Sequence, residues 1–399
     1  MKKIALGVCS SISIYKACEI VRLFQSEGLG VRVIMTEKAT CFINPYLFTS
    51  LTGERTVVKL FDDQQRPIEH ISLADEIELL LIAPATANII GKLASGVADD
   101  FLSTFYLAVR CPVLVAPAMN ESMYLHPQTQ ENIRKLKTLG VEFVEPDTGY
   151  LACGKQGPGR LASPESIVHH GLRLIKSREP FRNKVFLVTA GPTREFLDPV
   201  RFISNPSSGK MGYELAREAW QLGAEVILVS GPTSLEVPAG VYLEKVQTAE
   251  EMRAAVEKHY TRADVVLMAA AVADFRFKKA LSDKVPKSEI AGRLDIEATP
   301  DILEELGRQK RRQLLVGFAA ETSQLETKAL EKMKRKKVDL MVGNDVSRSG
   351  VGFGSDDNEV TLSWPDGRFR RIPRASKRKI SQEIMAEIEV LLNERKRNS

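Results

Sequence analysis

No stretch of the 399-residue chain approaches the roughly 20 consecutive apolar residues that a membrane-spanning helix needs. The opening MKKIALGV passes straight into strand–turn–helix patterning, which argues against a signal peptide. Cysteine is scarce: Cys9, Cys18, Cys41, Cys111 and Cys153 show no paired spacing, so a disulfide framework is excluded and a reducing cytoplasm is expected. The first loop, Gly7-Val-Cys-Ser-Ser-Ile-Ser13, lacks the G-x-G-x-x-G of a dinucleotide fingerprint. Nor does the net charge of +5 describe a nucleic-acid surface. Residues 1–180 hold 19 basic and 19 acidic side chains, whereas Arg368 onward holds 10 basic against 4 acidic. The excess is a solvated tail without interleaved aromatics, so neither nucleic acid nor membrane is an expected partner.

What the chain does have is length and repeated α/β patterning. At 44% apolar and 27% charged residues it is globular, and 399 residues exceed what one core supports. Ile4–Val8, Ser13–Glu27 and Val31–Met35 read as strand, helix and strand. Leu79–Ala83 and Val113–Ala116 continue the strands. A charged, proline-containing link at Arg178–Lys184 marks a boundary. Beyond it come strand Val185–Val188, helix Gly209–Leu222, strands Glu225–Val229, Val265–Ala271, Leu314–Ala319 and Val338–Val342, and a hairpin around Pro365-Asp-Gly. Thr248-Ala-Glu-Glu251 predicts a capping box. A helix from Ser376 places Ile380, Ile384, Ile388 and Leu391 on one stripe. The expected fold is α/β, with two doubly wound, mostly parallel-sheet Rossmann-like domains at 1–180 and 181–399.

In the first half, Ser10, Ser11 and Ser13 open a helix. They suit a phosphate monoester and equally suit ordinary capping. Two strands end in Pro-Ala with an Asn close behind, at Pro84–Asn88 and Pro117–Asn120. Asn can fix a carboxylate or a flavin edge, or simply make a turn. His70 sits in apolar context, open between core and catalysis. Gly149–Leu161 is too Gly-rich for a packed element and reads as a mobile flap carrying an exposed Cys153, whose neighbour Lys155 eases thiolate formation. The other cysteines read as packing, and Ser163-Pro164 caps the closing helix.

The second half turns on Thr189–Gly212, a long loop at the carboxyl end of a strand, where ligands bind in parallel α/β folds. Its Ser207-Ser-Gly-Lys210 lacks Gly at Ser204 and Ser/Thr at Met211, so a Walker A loop is rejected. Ala269–Asp274 ends a buried strand in small residues and an acid, which fits ribose, base, a hydrated cation or a helix cap. Lys284 and Lys287 lie in a polar loop, and Lys332 and Lys336 share a helix face; all four are open between solvated lysines and triphosphate contacts.

These pieces, taken together, resemble a known family. The first half is similar to the flavin-dependent cysteine decarboxylases, and nearly the whole chain resembles the bacterial bifunctional phosphopantothenoylcysteine decarboxylase/phosphopantothenate–cysteine ligases of coenzyme A synthesis. The resemblance rests on His70, the PATAN segment (family PASANT), PAMNESMY (family PxMNxxMW) and the Cys153 flap, in that order. Thr86 replaces Ser, Tyr124 replaces Trp, Ser10-Ser11 stands where many relatives have Gly-Gly, and the family's KIKK reads KVPK.

The resemblance implies FMN held by Gly7, Ser10, Ser11, Thr36, Asn88, Ser103 and Met119. It implies that His70 assists oxidative decarboxylation, that Asn120 holds the substrate carboxylate, and that Cys153 donates the final proton. In the ligase half it implies CTP, with Mg2+, at Met268, Ala269, Ala270, Asp274, Lys284, Lys287, Pro300, Asp301, Ile302, Leu303, Phe318, Lys332 and Lys336. Asn205 and Lys284 would serve acyl transfer. No metal ligands are assigned. The implied substrates are 4′-phosphopantothenate, L-cysteine and CTP. The implied assembly is a homo-oligomer of decarboxylase trimers, with the flavin at a subunit interface, and ligase dimers. Two other readings compete: a non-catalytic flavin-binding regulator, opposed by the coexistence of His70, Asn120 and Cys153, and a nicotinamide-dependent reductase, opposed by the missing fingerprint.

Overall fold

The computed structural model describes residues 2–61, 69–150, 156–284, 286, 294–321, 333–345 and 355–397. The chain divides into two compact units, Met1–Lys176 and Ser177–Ser399.

In the first unit, β1 (Lys3–Val8), β2 (Gly30–Met35), β3 (Ile77–Ala85), β4 (Val113–Pro117) and β5 (Glu142–Phe143) form a parallel sheet in the order β2-β1-β3-β4-β5. Strand alternation fills two core layers. Ile4, Leu6, Val8, Leu79 and Leu81 face one layer, while Ala5, Leu80 and Ile82 face the other. Helices α1 (Lys16–Ser26), α2 (Pro45–Thr52), α3 (Glu69–Glu76), α4 (Ala87–Ser95), α5 (Phe101–Ala108), α6 (Glu121–Tyr124), α7 (Pro127–Thr138) and α8 (Pro164–Lys176) complete the unit. Phe24 of α1 and Leu172 of α8 cover the first layer; Phe105 of α5 and Leu136 of α7 cover the second. Each such fully buried side chain contributes about 1.5–3 kcal/mol.

Capping sets the helix ends. Asn44 with Pro45 opens α2 and Gly53, at φ 71°, closes it. The Ser163 hydroxyl accepts the Ser166 N–H at 3.1 Å, as the Ser-Pro pair predicts. The first helix departs from expectation: a 3-10 turn, Ile12–Tyr15, precedes the α-helix, because Ser11 accepts the Ser13 N–H and tightens the entry. The Gly-rich stretch also differs. Its described ends are packed elements: β6 (Asp147–Tyr150) pairs antiparallel with β7 (Gln156–Arg160), while the centre of the expected flap, with Cys153, lies outside the described residues. Cys41 is exposed, against its reading as packing, whereas Cys9 is buried and its thiol is pushed up to about 12 by burial.

The second unit comprises β8 (Val185–Ala190), β9 (Arg194–Phe196), β10 (Phe202–Ser204), α9 (Lys210–Gln221), β11 (Glu225–Ser230), β12 (Tyr242–Lys245), α10 (Ala249–Tyr260), β13 (Val265–Met268), β14 (Phe275–Phe277), β15 (Ile296–Ala298), a helix Ile302–Gln309, β16 (Leu314–Glu321), β17 (Leu340–Asp345), β18 (Asp357–Ser363), β19 (Phe369–Ser376) and a C-terminal helix Lys377–Arg397. Its main sheet has eight strands in the order β12-β11-β8-β13-β16-β17-β18-β19, with only the last two pairings antiparallel. Read from β8, the six parallel strands follow the 3-2-1-4-5-6 dinucleotide-fold order, whose switch point lies between β8 and β13. Residues 269–271 leave the strand expected there, because Ala270 donates its N–H to the Thr189 hydroxyl at 3.1 Å and Ala271 bonds Gly191. At Thr248 only half the expected box forms: Thr248 accepts the Glu251 N–H, but the Glu251 carboxylate reaches Gln247 instead. The Ile380, Ile384 and Ile388 stripe is buried against the sheet.

Candidate active sites

In the strand order β2-β1-β3-β4-β5 the switch point lies between β1 and β3, so a ligand is expected beyond their carboxyl ends. A cavity of about 470 Å³ opens there, lined by Ser10, Ser11, Ser13, Lys16, Thr86, Met119, Asn120 and Arg160, with Tyr15 and Met123 as apolar wall. Asn120 caps α6 through its Oδ1, which accepts the Ser122 N–H at 2.8 Å. The β6–β7 hairpin is fastened to this loop: Met119 donates its N–H to the Gly159 carbonyl at 2.9 Å. Gly159 has φ 130°, and a Cβ there would meet the Met119 carbonyl oxygen at 2.4 Å. Lys16 donates to the Leu161 carbonyl at 3.3 Å. Burial, then the nearby Arg160 charge, lower its amine below the usual lysine range.

Of the residues expected at the flavin, Ser10, Ser11 and Met119 converge here with Asn120. The others do not line the cavity. Gly7 is buried in β1, where a Cβ would lie 2.7 Å from Leu102, so its smallness serves packing against α5. Ser103 completes a capping box with Asp100, accepting the Asp100 N–H at 3.2 Å. Thr36 sits at the end of β2, its N–H on the Val8 carbonyl, and Asn88 is exposed on α4. His70 is half-buried on α3, edge-on to Phe101 with ring centroids 6.5 Å apart. Lys16 and Arg160 are the residues that sequence reasoning missed; Lys16 was marked only by its charge beside the serine loop, and Arg160, on β7, by no local signal. Three hydroxyls and two cations suit a phosphate, and the flanking apolar side chains suit a planar ring, so the residues present fit FMN.

The second unit holds a cavity of about 530 Å³ along the carboxyl edge of its sheet. The loops after β8 and β13 are stitched over it. Ala273 donates to the Thr193 hydroxyl at 2.9 Å, and the Asn205 side-chain amide donates to the Val272 and Ala271 carbonyls at 2.9 and 3.4 Å. Helix α9 starts at the cavity because Gly212 lies flat on β8; a Cβ there would sit 2.5 Å from that of Ala190. Met268–Ala270, Asp274, Pro300–Leu303, Phe318 and Lys336 all line this space with Asn205. Asp301 caps its helix by accepting the Glu304 N–H at 3.1 Å and pairs with Lys336 at 2.8 Å.

Lys284 is exposed and does not line the cavity; Lys287 and Lys332 lie outside the described residues. The structure adds Lys210, Lys377, Asn344 and Asn358 to the wall. The Asn344 Oδ1 is buried with no hydrogen-bond partner among the described residues, an acceptor that suits a ligand hydroxyl. Lys377 follows Lys210 by too great a sequence distance for any local pattern to join them. Among the described residues no three His, Cys, Asp or Glu side chains gather to hold a metal, and no helix is long and apolar enough to cross a membrane.

Two family models match this chain: the flavoprotein family over residues 1–176 and the DNA/pantothenate metabolism flavoprotein C-terminal domain over residues 181–391. The coenzyme A biosynthesis bifunctional protein CoaBC of Bacillus subtilis (strain 168) is 46% identical over 98% of this chain and 97% of its own length. That of Escherichia coli (strain K12) is 40% identical over 99% and 98%. Among solved structures, the C-terminal domain of a CoaBC protein covers 54% of this chain and 100% of its own, at 42% identity and a TM-score of 0.47.

Proposed function

This chain belongs to the family of bifunctional coenzyme A biosynthesis proteins, with a decarboxylase half and a ligase half, and from that premise we propose what each of its two cavities holds. The ligase cavity takes CTP and 4′-phosphopantothenate. The substrate carboxylate attacks the α-phosphorus, giving an acyl-cytidylate and pyrophosphate; the amine of L-cysteine then displaces CMP. The observation that carries this reading is the convergence of Met268–Ala270, Asp274, Pro300–Leu303, Phe318 and Lys336 on one wall with Asn205. Asn205, tied to the Ala271–Val272 carbonyls, holds the acyl group beside the loop after β13. Asp274 is the acid available to Mg2+, which is commonly held by one or two carboxylates plus substrate phosphates. Lys284 acts from outside the wall as a loop residue.

The decarboxylase cavity takes FMN, with Ser10, Ser11, Lys16 and Arg160 on its phosphate and Met119 against its ring. When bound, FMN supplies the two-electron oxidation that makes carboxylate loss from the cysteine moiety feasible. Asn120 orients that carboxylate, His70 assists its loss and Cys153 returns a proton. His70 reaches the site from a second copy of the chain, in keeping with the exposed apolar rim of Ile12, Tyr15 and Met123 around the cavity. The homo-oligomer is then part of the site, and the enzyme works in the cytoplasm.

The test is an absorbance spectrum of the native protein with a CTP-dependent pyrophosphate assay on the same sample. A yellow protein releasing pyrophosphate only with CTP and phosphopantothenate is expected. Colourless protein with intact ligase activity would sink the flavin half alone, and indifference between CTP and ATP would sink the nucleotide assignment.

A further inference from the structure

Helix α3 carries His70, yet little apolar packing locates it. It is about two turns long, and the apolar side chains it buries are Leu73 and Ala74, in the core layer of Phe101 and Phe105. His70 shares that face by helical spacing and meets Phe101 edge-on. Apolar contact is non-directional, so two such side chains fix neither the roll of the helix about its axis nor its height along it.

Charge supplies what packing does not. Glu69, the first residue of α3 and the neighbour of His70, is buried, and its two oxygens go to two arginines. Oε1 accepts from Arg32 of β2 at 2.7 Å, and Oε2 accepts from Arg55 at 2.8 Å. Arg55 stands in the segment whose Val57 bonds the β2 backbone at Val33 and Met35. The second Nη of Arg32 donates to Glu54 at 2.8 Å, and Glu54 accepts from Lys3 of β1 at 3.1 Å. Lys3 in turn lies 3.7 Å from Glu76, the last residue of α3. Charges of alternating sign thus run from one end of the helix to the other by way of β2 and β1. The exposed Lys3 end contributes little. The hold is at the other end, where the Glu69 and Arg32 side chains are only 10% and 14% exposed. Any acid in a first turn answers the helix dipole; two guanidinium groups converging on both oxygens also set the direction of the side chain just before His70.

We propose that Arg32, Glu69 and Arg55 are positioning residues for the decarboxylation, a clamp that sets the roll and height of α3 and with them the place of the His70 imidazole. This rests on the reading above that His70 assists carboxylate loss. The clamp acts through His70 alone, by keeping its ring within about 0.5 Å of the productive position.

The experiment uses the full chain with its flavin bound, and measures carbon dioxide release from 4′-phosphopantothenoylcysteine. Glu69→Gln and Arg32→Met should each lower kcat by about tenfold to 10²-fold, the cost of a misplaced reacting group. KM, bound flavin per chain and ligase turnover should stay within about twofold. Arg32→Lys, which keeps the charge without the planar fork, should recover part of the loss. Hydrogen–deuterium exchange at the imidazole C2 carbon, read by mass spectrometry, should quicken at His70 and stay unchanged at the exposed His126. Because a buried charge left without its partner can itself unfold the unit, the same measurements are made on Arg32→Met/Glu69→Leu/Arg55→Met, which leaves none of the three charges behind. That variant should fold and keep its flavin, with kcat still low. Recovery of kcat there, loss of flavin in step with kcat in the single variants, or low kcat with unchanged exchange at His70 would each overturn the proposal. Full decarboxylation by His70→Gln would instead fail the reading of His70 on which it rests.

Discussion

The ligase cavity draws its wall from β13, β16, β17 and β18 and from helices on both faces of the sheet. The flavoprotein cavity draws on the ends of β1, β3 and β4 with the β6–β7 hairpin. The first gathers nearly every expected residue that the structure describes; the second gathers Ser10, Ser11, Met119 and Asn120 and leaves His70 on α3 outside its lining. Both sit at a topological switch point, so the fold places each mouth. What differs is how much chain reaches it. In the second unit the long Gly191–Gly209 connection folds back through Asn205 onto the loop after β13. The corresponding connection in the first unit is a short serine turn capped on itself.

The largest effect expected on this comparison comes from Asn205→Ala. Losing its side chain from beside the acyl group should slow amide formation by about 10²-fold, the usual cost of lost positioning, while pyrophosphate release from CTP persists. Measuring both products in single turnover separates the steps. If pyrophosphate release falls equally, Asn205 acts by shaping the Ala271–Val272 loop and the cavity is less rigidly built than its contacts indicate.

Next in size is the flavin phosphate. Lys16→Met with Arg160→Met should cut bound flavin per chain by about tenfold or more and leave ligase turnover unchanged. Retained flavin in the double variant would move the phosphate away from the serine turn.

The central strands and the helix stripes were legible in the sequence because both faces of the parallel sheets are buried, and alternation such as Ile4, Leu6, Val8 against Ala5 is hard to mistake. At the described ends of the Gly149–Leu161 stretch, glycine read only as a source of freedom hides two paired strands. Gly159 is there for close approach, and its neighbours pair as strand. Ser103 and Gly7 show the converse: resemblance named them for a ligand, yet their contacts are those of a capping box and a tight strand–helix packing. Rejecting Walker A at Ser207–Lys210 was sound as a motif judgement but set aside a lysine that does face the cavity. Lys377 could not be paired with it from sequence, since only the packing of two helices on one sheet face brings them together.

An effect on stability tests whether the units are energetically separate. A Cβ on Gly307 would lie 2.0 Å from the Lys336 carbonyl oxygen. Gly307→Ala should therefore destabilise the second unit by about 2–4 kcal/mol. Calorimetry should resolve two transitions, with the first unit's unchanged. A common shift of both would show that the units unfold as one.

The smallest effect concerns acid. Asp198, between β9 and β10, is buried and accepts the Val200 and Arg201 N–H groups at 2.9 and 2.8 Å. The Arg201 guanidinium, with these N–H groups, holds its carboxyl down at about 2. A carboxyl lowered on folding stabilises the folded state above its unfolded pKa of about 3.9. That contribution is lost as pH falls through the folded value. The second unit should thus lose stability from this group between about pH 4 and pH 2, and Asp198→Asn should flatten that part of its melting-temperature profile without altering the first unit's. Because Asp198 anchors the hairpin leading into Asn205, an unchanged slope would mean that the hairpin is held by the paired Phe196 and Phe202 rings, 5.5 Å apart, rather than by charge.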